Sequence, residues 1–274
     1  MSDSPQTPGP VSAGETEDSG AASVTSTVDS GRSVRAVVGR AAVIIVTATL
    51  VGRLLGLARD MVVADFFGAR PEADAFFLAF KVPYLLTLMV TGALTATFVP
   101  LFSYRLATGR KREAWDLSVN MGNIIAVVLV ALSAILVGIA QWFIPLIGPG
   151  LDDETTAQGV FLFRILMIGL VFEGLTGLVI GMLNSLRRFA LAAFAPAVGT
   201  VVTLIITIVF EPSLGITSLA IGFVAGWVAG LLVLFPGLRG ERIQYRPRID
   251  WHDPGVREVG GMIWPILIGS AVGK

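Results

Sequence analysis

"GRLLGLARDMVVADFFGARPEADAFFLAF", residues 52–80, follows directly on the apolar run at 41–51 and sets Arg53, Arg59, Asp60, Asp65, Arg70, Glu72 and Asp74 among its Leu, Phe and Val. In a soluble protein this is an ordinary charged turn region. If the apolar runs on either side cross a bilayer, the same charges lie at or near membrane depth, where they are costly and tend to be functional. The rest of the chain decides between the two.

Of the 274 residues, 54% are hydrophobic and 15% charged, and the mean hydropathy is +0.78. Soluble domains are about a quarter charged, so the balance points to an integral membrane protein. Lys+Arg and Asp+Glu stand at 20 each, which gives no sign of a polyanionic partner. The chain has no cysteine, which excludes disulfide scaffolds, thiol catalysis and thiolate metal sites. His252 is the single histidine, too few for a His-cluster metal centre or a His-based triad, and it falls in a loop as a surface residue. No metal or other cofactor is implied.

Residues 1–35 are set apart by composition. Their first 30 carry Asp3, Glu15, Glu17, Asp18 and Asp29, no base, and mostly Ser, Thr, Gly, Pro and Ala. Such a stretch buries too little apolar surface to offset its ordering entropy, and it is expected to be a disordered acidic tail. It lacks the basic start and apolar core of a signal peptide.

Downstream, charges punctuate the chain at intervals suited to helices of about 20 residues, the length that crosses a bilayer core. Spans are expected near Ala41–Leu57, Ala75–Tyr104, Leu117–Ile147, Gln158–Leu183, Ala192–Phe210, Ser218–Leu238 and from Val259 onward. The fold class is therefore an all-α polytopic helix bundle. Arg32, Arg35 and Arg40 precede the first span. Arg105, Arg110, Lys111 and Arg112 follow the second, Arg187 and Arg188 the fourth, and Arg239, Arg242, Arg246 and Arg248 the sixth. The loops after the third and fifth spans hold no base, and by the positive-inside rule the N-terminus is cytoplasmic. Only the loop after the first span breaks the pattern, with Arg59 and Arg70. The seventh span has about 16 residues here, short of the roughly 20 required, as expected of a larger membrane unit cut short.

Arg53 lies about 13 residues into the first span, roughly 20 Å along its axis. It either faces protein, a carboxylate or water, or snorkels to the interface, and Arg59 offers the same choice. Gly52 and Gly56 flank Arg53 in a G-x-x-x-G pair that suits close helix approach. Asp74 and Lys81 stand two turns apart on one face and can line a polar cavity, while Asp74 also suits a helix start. Pro83, Gly92 and Pro100 are expected to bend the second span. Glu173 lies deep in apolar sequence, as a cavity or proton site or as an inter-helix hydrogen-bond partner. Arg164 is nine residues from it and on the opposite face, so the two do not pair.

The opening stretch continued to "KVPYLL", with "TGALTATFVPLF" at 91–102, "GMLNSLRRFALAAFAPAVGTV" at 181–201 and "RPRIDWHD" at 246–253, resembles the MurJ/MviN family of lipid II flippases. That family lies within the multidrug/oligosaccharidyl-lipid/polysaccharide exporter superfamily. The resemblance covers roughly residues 40–274, with its motifs in order. It implies a transporter of 14 helices in two halves around a central cavity, of which residues 36–274 form the N-terminal half. The implied substrate is undecaprenyl-pyrophosphate-linked peptidoglycan precursor, moved across the bacterial cytoplasmic membrane by alternating access. The resemblance further implies that Arg53 and Arg59 meet the pyrophosphate, and it matches Asp74 to the family's acid on the second helix. Asp74 with Lys81 on the same face is expected to gate or orient the headgroup, as is Glu173 at its depth in the bundle, although Glu173 is not a hallmark of the family. The cell-wall synthesis machinery is an expected partner. Where several members carry an Arg pair and a Glu on the second helix, this chain has Thr87, Leu88 and Thr91. Alternative readings are an exporter of another lipid-linked oligosaccharide, a drug/cation antiporter of the same superfamily, and a non-transporting scaffold for cell-wall assembly. No nucleophile–base set argues for an enzyme.

Overall fold

The structure, a computed structural model, describes residues 18–241, 249–259 and 261. It divides into two units, residues 1–43 and 44–274. The helices in chain order are α1 (Asp18–Phe67), α2 (Pro71–Ala107), α3 (Lys111–Ile147), α4 (Asp153–Ser185), α5 (Phe189–Leu214) and α6 (Thr217–Leu234), the last closed by a 3-10 turn at Phe235–Leu238. No strand occurs among the described residues. Five helices, α2 to α6, are long and apolar enough to cross a membrane. The chain is an all-α polytopic membrane protein.

The first five expected spans each fall inside one helix, the sixth runs from α6 through the 3-10 turn, and the helices overrun the apolar runs at their polar ends. α2 and α3 have 37 residues each, about 55 Å at 1.5 Å per residue, against a hydrocarbon core of about 30 Å. Their surplus turns carry Glu72, Asp74 and Arg105 in α2 and Glu113 in α3. α2 continues through Pro83 and Pro100 without a break. The helix of the first span begins at Asp18, inside the segment expected as a tail to residue 35. A helix already nucleated in an apolar span adds one backbone bond per residue without a second nucleation cost, so it can extend into polar sequence. The remainder of the tail, residues 1–17, lies outside the described residues. Helix also appears at 254–259, just ahead of the expected seventh span. The rest of that span, 262–274, lies outside the described residues.

Within the second unit α4 is central, packed against α2, α3 and α6. Its buried face presents Leu162, Phe163, Leu166, Met167 and Leu170. Phe98 and Phe102 of α2 stack with ring centroids 5.4 Å apart, and Trp115 of α3 meets Phe102 edge-on at 5.5 Å. Two hydroxyls cross helices: Ser133 Oγ donates to the Met167 carbonyl at 3.0 Å, and Ser103 Oγ donates to Ser185 Oγ at 2.9 Å. Large apolar side chains also point outward, with Leu146 76% and Trp142 67% exposed. In water such a surface would aggregate, whereas in lipid it is the matched one.

α5 and α6 lie backbone to backbone. A Cβ on Gly226 would stand 2.5 Å from the Gly199 carbonyl oxygen, and one on Gly199 would stand 2.8 Å from that of Gly226. The approach brings Thr203 Oγ1 within 3.0 Å of the Gly222 carbonyl while it also reaches Gly199 O at 3.0 Å on its own helix. Small residues four apart are the usual device where lipid supplies no hydrophobic drive between helices. By contrast, a Cβ on Gly52 or Gly56 would meet no described atom within 4 Å, so the G-x-x-x-G pair of α1 is not a seam among the described residues.

Side chains fix the helix ends on the base-rich side. Asn120, buried in α3, donates Nδ2–H to the Asp250 carbonyl and accepts the Asp250 N–H, both at 2.9 Å. Arg188, at the start of α5, donates to the carbonyls of Gly237 and Arg239 and pairs with Glu241 at 3.3 Å. Removing Asn120 leaves two backbone groups of the 249–259 stretch without these partners. Asn120→Ala is expected to cost about 1–3 kcal/mol and to speed protease cleavage between Arg239 and Asp250 several-fold.

On the other side Asp152 caps α4, accepting from Thr155 Oγ1 at 2.6 Å and from Thr155 N–H at 3.2 Å. These bonds, the hydroxyl one first, hold its carboxyl below the ordinary 3.8. A depressed carboxylate stabilises the fold above its unfolded pKa, and the contribution is lost as pH falls through the folded value. Asp152→Ala is therefore expected to lower the melting temperature at neutral pH, with the gap to the wild type closing as the pH falls below the ordinary 3.8 and through the lowered folded value.

Candidate functional site

The helices enclose a cavity of about 200 Å³ lined by Arg59 of α1, Thr91 of α2, Glu173 and Thr176 of α4, Thr200 and Thr203 of α5, and Phe223 and Trp227 of α6. Its position follows from the packing just described. Gly177 lets α2 come close enough that a Cβ there would stand 3.1 Å from Thr91 Oγ1. The α5–α6 seam places Thr203 and Gly226 at the rear wall.

Arg59 is half-buried. Its guanidinium lies 5.1 Å from the Phe223 ring centroid, and its Nη2 and Nε donate to Asp60 Oδ1 at 2.9 and 3.1 Å. Consecutive residues on a helix diverge by 100°, so this ion pair sits at the rim, with Asp60 well exposed. Pairs of that kind contribute about 0–1 kcal/mol. Behind Phe223 an aromatic group continues into α2. Phe80 stands 4.6 Å from Phe223 and 6.3 Å from Trp227, and stacks on Phe76 and Tyr84 at 5.8 Å each.

The cavity thus brings together two of the residues singled out from sequence, Arg59 and Glu173. Arg53 is exposed on α1 and does not line it. Asp74 and Lys81 do share one feature, as their spacing suggests, but it is another one. They line an open depression of about 360 Å³ beside Gly148, Pro149 and Leu151 in the α3–α4 connection. Arg164 is exposed, on the face of α4 away from Glu173. Of the three α2 positions at which this chain lacks charge, Thr91 lines the cavity, Leu88 is exposed, and Thr87 Oγ1 is buried without a hydrogen-bond partner among the described residues. Phe223, Trp227 and the α5 threonines were not legible as site residues. An F-x-x-x-W spacing signals a shared helix face, but not what that face meets.

Residues 63–273 match the family model described as "Lipid II flippase MurJ". The chain belongs to the MurJ family. Among curated MurJ relatives, the lipid II flippase MurJ of Burkholderia cenocepacia is 32% identical over 239 residues, 82% of this chain and 46% of that protein. The probable lipid II flippase MurJ of Vibrio cholerae is 29% identical over 249 residues, 86% and 47% respectively. The chain spans about half the length of these MurJ relatives. A solved lipid II flippase MurJ in an inward closed conformation superposes with a TM-score of 0.70 at 24% identity, over 83% of this chain and 48% of that one. A MATE transporter solved in complex with MaD3S gives 0.68 at 15% identity, over 86% and 54%. At such identities the structural likeness shows the fold alone, whereas the MurJ assignment rests on sequence.

Proposed function

We propose that the chain forms the N-terminal half of a flippase that carries undecaprenyl-pyrophosphate-linked peptidoglycan precursor across the bacterial cytoplasmic membrane by alternating access. It acts as a transporter rather than an enzyme. The N-terminus is cytoplasmic, as the base-rich loops indicate. Arg59 carries the reading. It is the cation that lines the inter-helix cavity, held there on an aromatic face in a chain of the MurJ family. A planar, permanently charged fork of donors suits a pyrophosphate. Arg53, about 9 Å from Arg59 along α1, meets the same headgroup as it approaches from the open side. Asp74 and Lys81 act at the opposite end of α2 from Arg105, as orienting charges at the entrance beside the α3–α4 connection.

The test is growth of a flippase-depleted bacterium supplied with the full-length gene. The wild type is expected to restore growth, and Arg59→Ala to fail at equal membrane abundance. Arg53→Ala is expected to reduce growth less. Normal growth with both variants would remove the arginines from the mechanism.

A further inference from the structure

Glu173 is a carboxylate at membrane depth with no ion pair among the described residues, and the reading above gives it no specific work. The cavity wall around it is one-sided. Thr176 and Thr200 each donate their hydroxyl to a carbonyl of their own helix, at 2.8 and 3.0 Å, which leaves them lone pairs to offer a ligand. An ionised Glu173 also only accepts. The cation lining this space is Arg59, which carries five N–H donors. In the structure Arg59 holds Asp60 at the rim instead, in a pairing that exposure makes weak.

We propose that Asp60 and Glu173 are alternative counter-ions for Arg59, and that protonation of Glu173 frees Arg59 for an anionic diphosphate. The inference rests on Arg59 being the headgroup residue. With Glu173 ionised, the guanidinium turns into the cavity and its place at the rim empties. With Glu173 neutral, it returns to the rim, where an incoming diphosphate outbids Asp60. The charged groups at the cavity among the described residues are few. α1 supplies Arg59 and its partner Asp60, while α2, α5 and α6 present Thr91, Thr200 and Thr203, and Phe223 and Trp227. α3 packs beside Gly174 with Leu129 and Ile125. Glu173 and Arg59 therefore answer chiefly to each other. By linkage, binding of the diphosphate must raise the proton affinity of Glu173 by the same factor that protonation raises diphosphate affinity.

The test measures binding of a farnesyl diphosphoryl sugar to the full-length protein in nanodiscs at about pH 5.5 and about pH 8.5. This probe is a diphosphate diester whose own charge does not change over that range. Wild-type affinity is expected to fall about tenfold or more from the lower to the higher pH. Glu173→Gln is expected to bind at both values as tightly as the wild type does at the lower one, and Glu173→Asp to restore the slope. Asp60→Asn removes the rim counter-ion, so it should steepen the slope in the wild type, while in Glu173→Gln it should tighten binding equally at both pH values and leave no slope. A slope that persists in Glu173→Gln overturns the proposal. Arg59→Ala separates the two ideas: undiminished binding there overturns the headgroup role of Arg59 itself.

Discussion

Gly226→Leu is expected to leave little folded protein in the membrane, because it forces apart the tightest seam in the bundle. A Cβ at this position already stands against Thr203 Oγ1 and 2.5 Å from the Gly199 carbonyl oxygen, and the latter is backbone, which no rotamer change can move. The two helices must separate by an ångström or more, which breaks the Thr203–Gly222 hydrogen bond. Overpacking of this kind costs about 1–3 kcal/mol and sometimes more, and an inter-helix hydrogen bond in a membrane adds about 0.6–1.7 kcal/mol. The sum is a large part of a typical folding free energy. Melting of the detergent-solubilised protein should show Gly226→Ala intermediate and Gly226→Leu severely destabilised. Gly138→Leu, where a Cβ meets no described atom, should stay within about 0.5 kcal/mol of the wild type.

Arg59→Lys is expected to abolish most transport although it keeps the charge. Lysine replaces a flat fork with a compact, strongly hydrated point charge, so the bidentate grip on a diphosphate is lost. Its ammonium also gains less than a stacked guanidinium from the Phe223 ring, now 5.1 Å away. Losing one charge-assisted hydrogen bond and part of the ring contact amounts to about 2–3 kcal/mol, or about 30- to 150-fold in affinity. A flipping assay in reconstituted vesicles should place Arg59→Lys much closer to Arg59→Ala than to the wild type. Activity near that of the wild type would mean that charge alone suffices at this position.

The order and type of the helices from the second span to the sixth were legible because lipid imposes a length and a polarity on every crossing. A run such as 117–147 has little alternative to a long helix. Glu173 could be singled out for the same reason, since a carboxylate in that setting conflicts with its surroundings. What single residues could not convey was pairing. The G-x-x-x-G pair at Gly52 and Gly56 looks like a seam, yet the close approach is between Gly199 on α5 and Gly226 on α6. Small residues permit contact without naming the partner. Asp74 and Lys81 were correctly placed on one face, but spacing along α2 could not tell which end of the bundle that face opens toward. Arg59 and Glu173 lie far apart in sequence, and only the path of α4 past α1 and α6 brings them to one cavity.

Asn120 and Asp250 are separated by 130 positions in the chain, yet two hydrogen bonds of 2.9 Å tie them together. Asn120 lies in the third turn of a rod about 55 Å long, about 13 Å from its middle, so it swings when the rod tilts about that point. A tilt of only 5° would shift it by about 1 Å, and the backbone at Asp250 would be towed with it. The backbone at Asp250 is thereby geared to the third span. A shift of α3 is therefore felt at Asp250, mechanically, whether or not anything occupies the cavity.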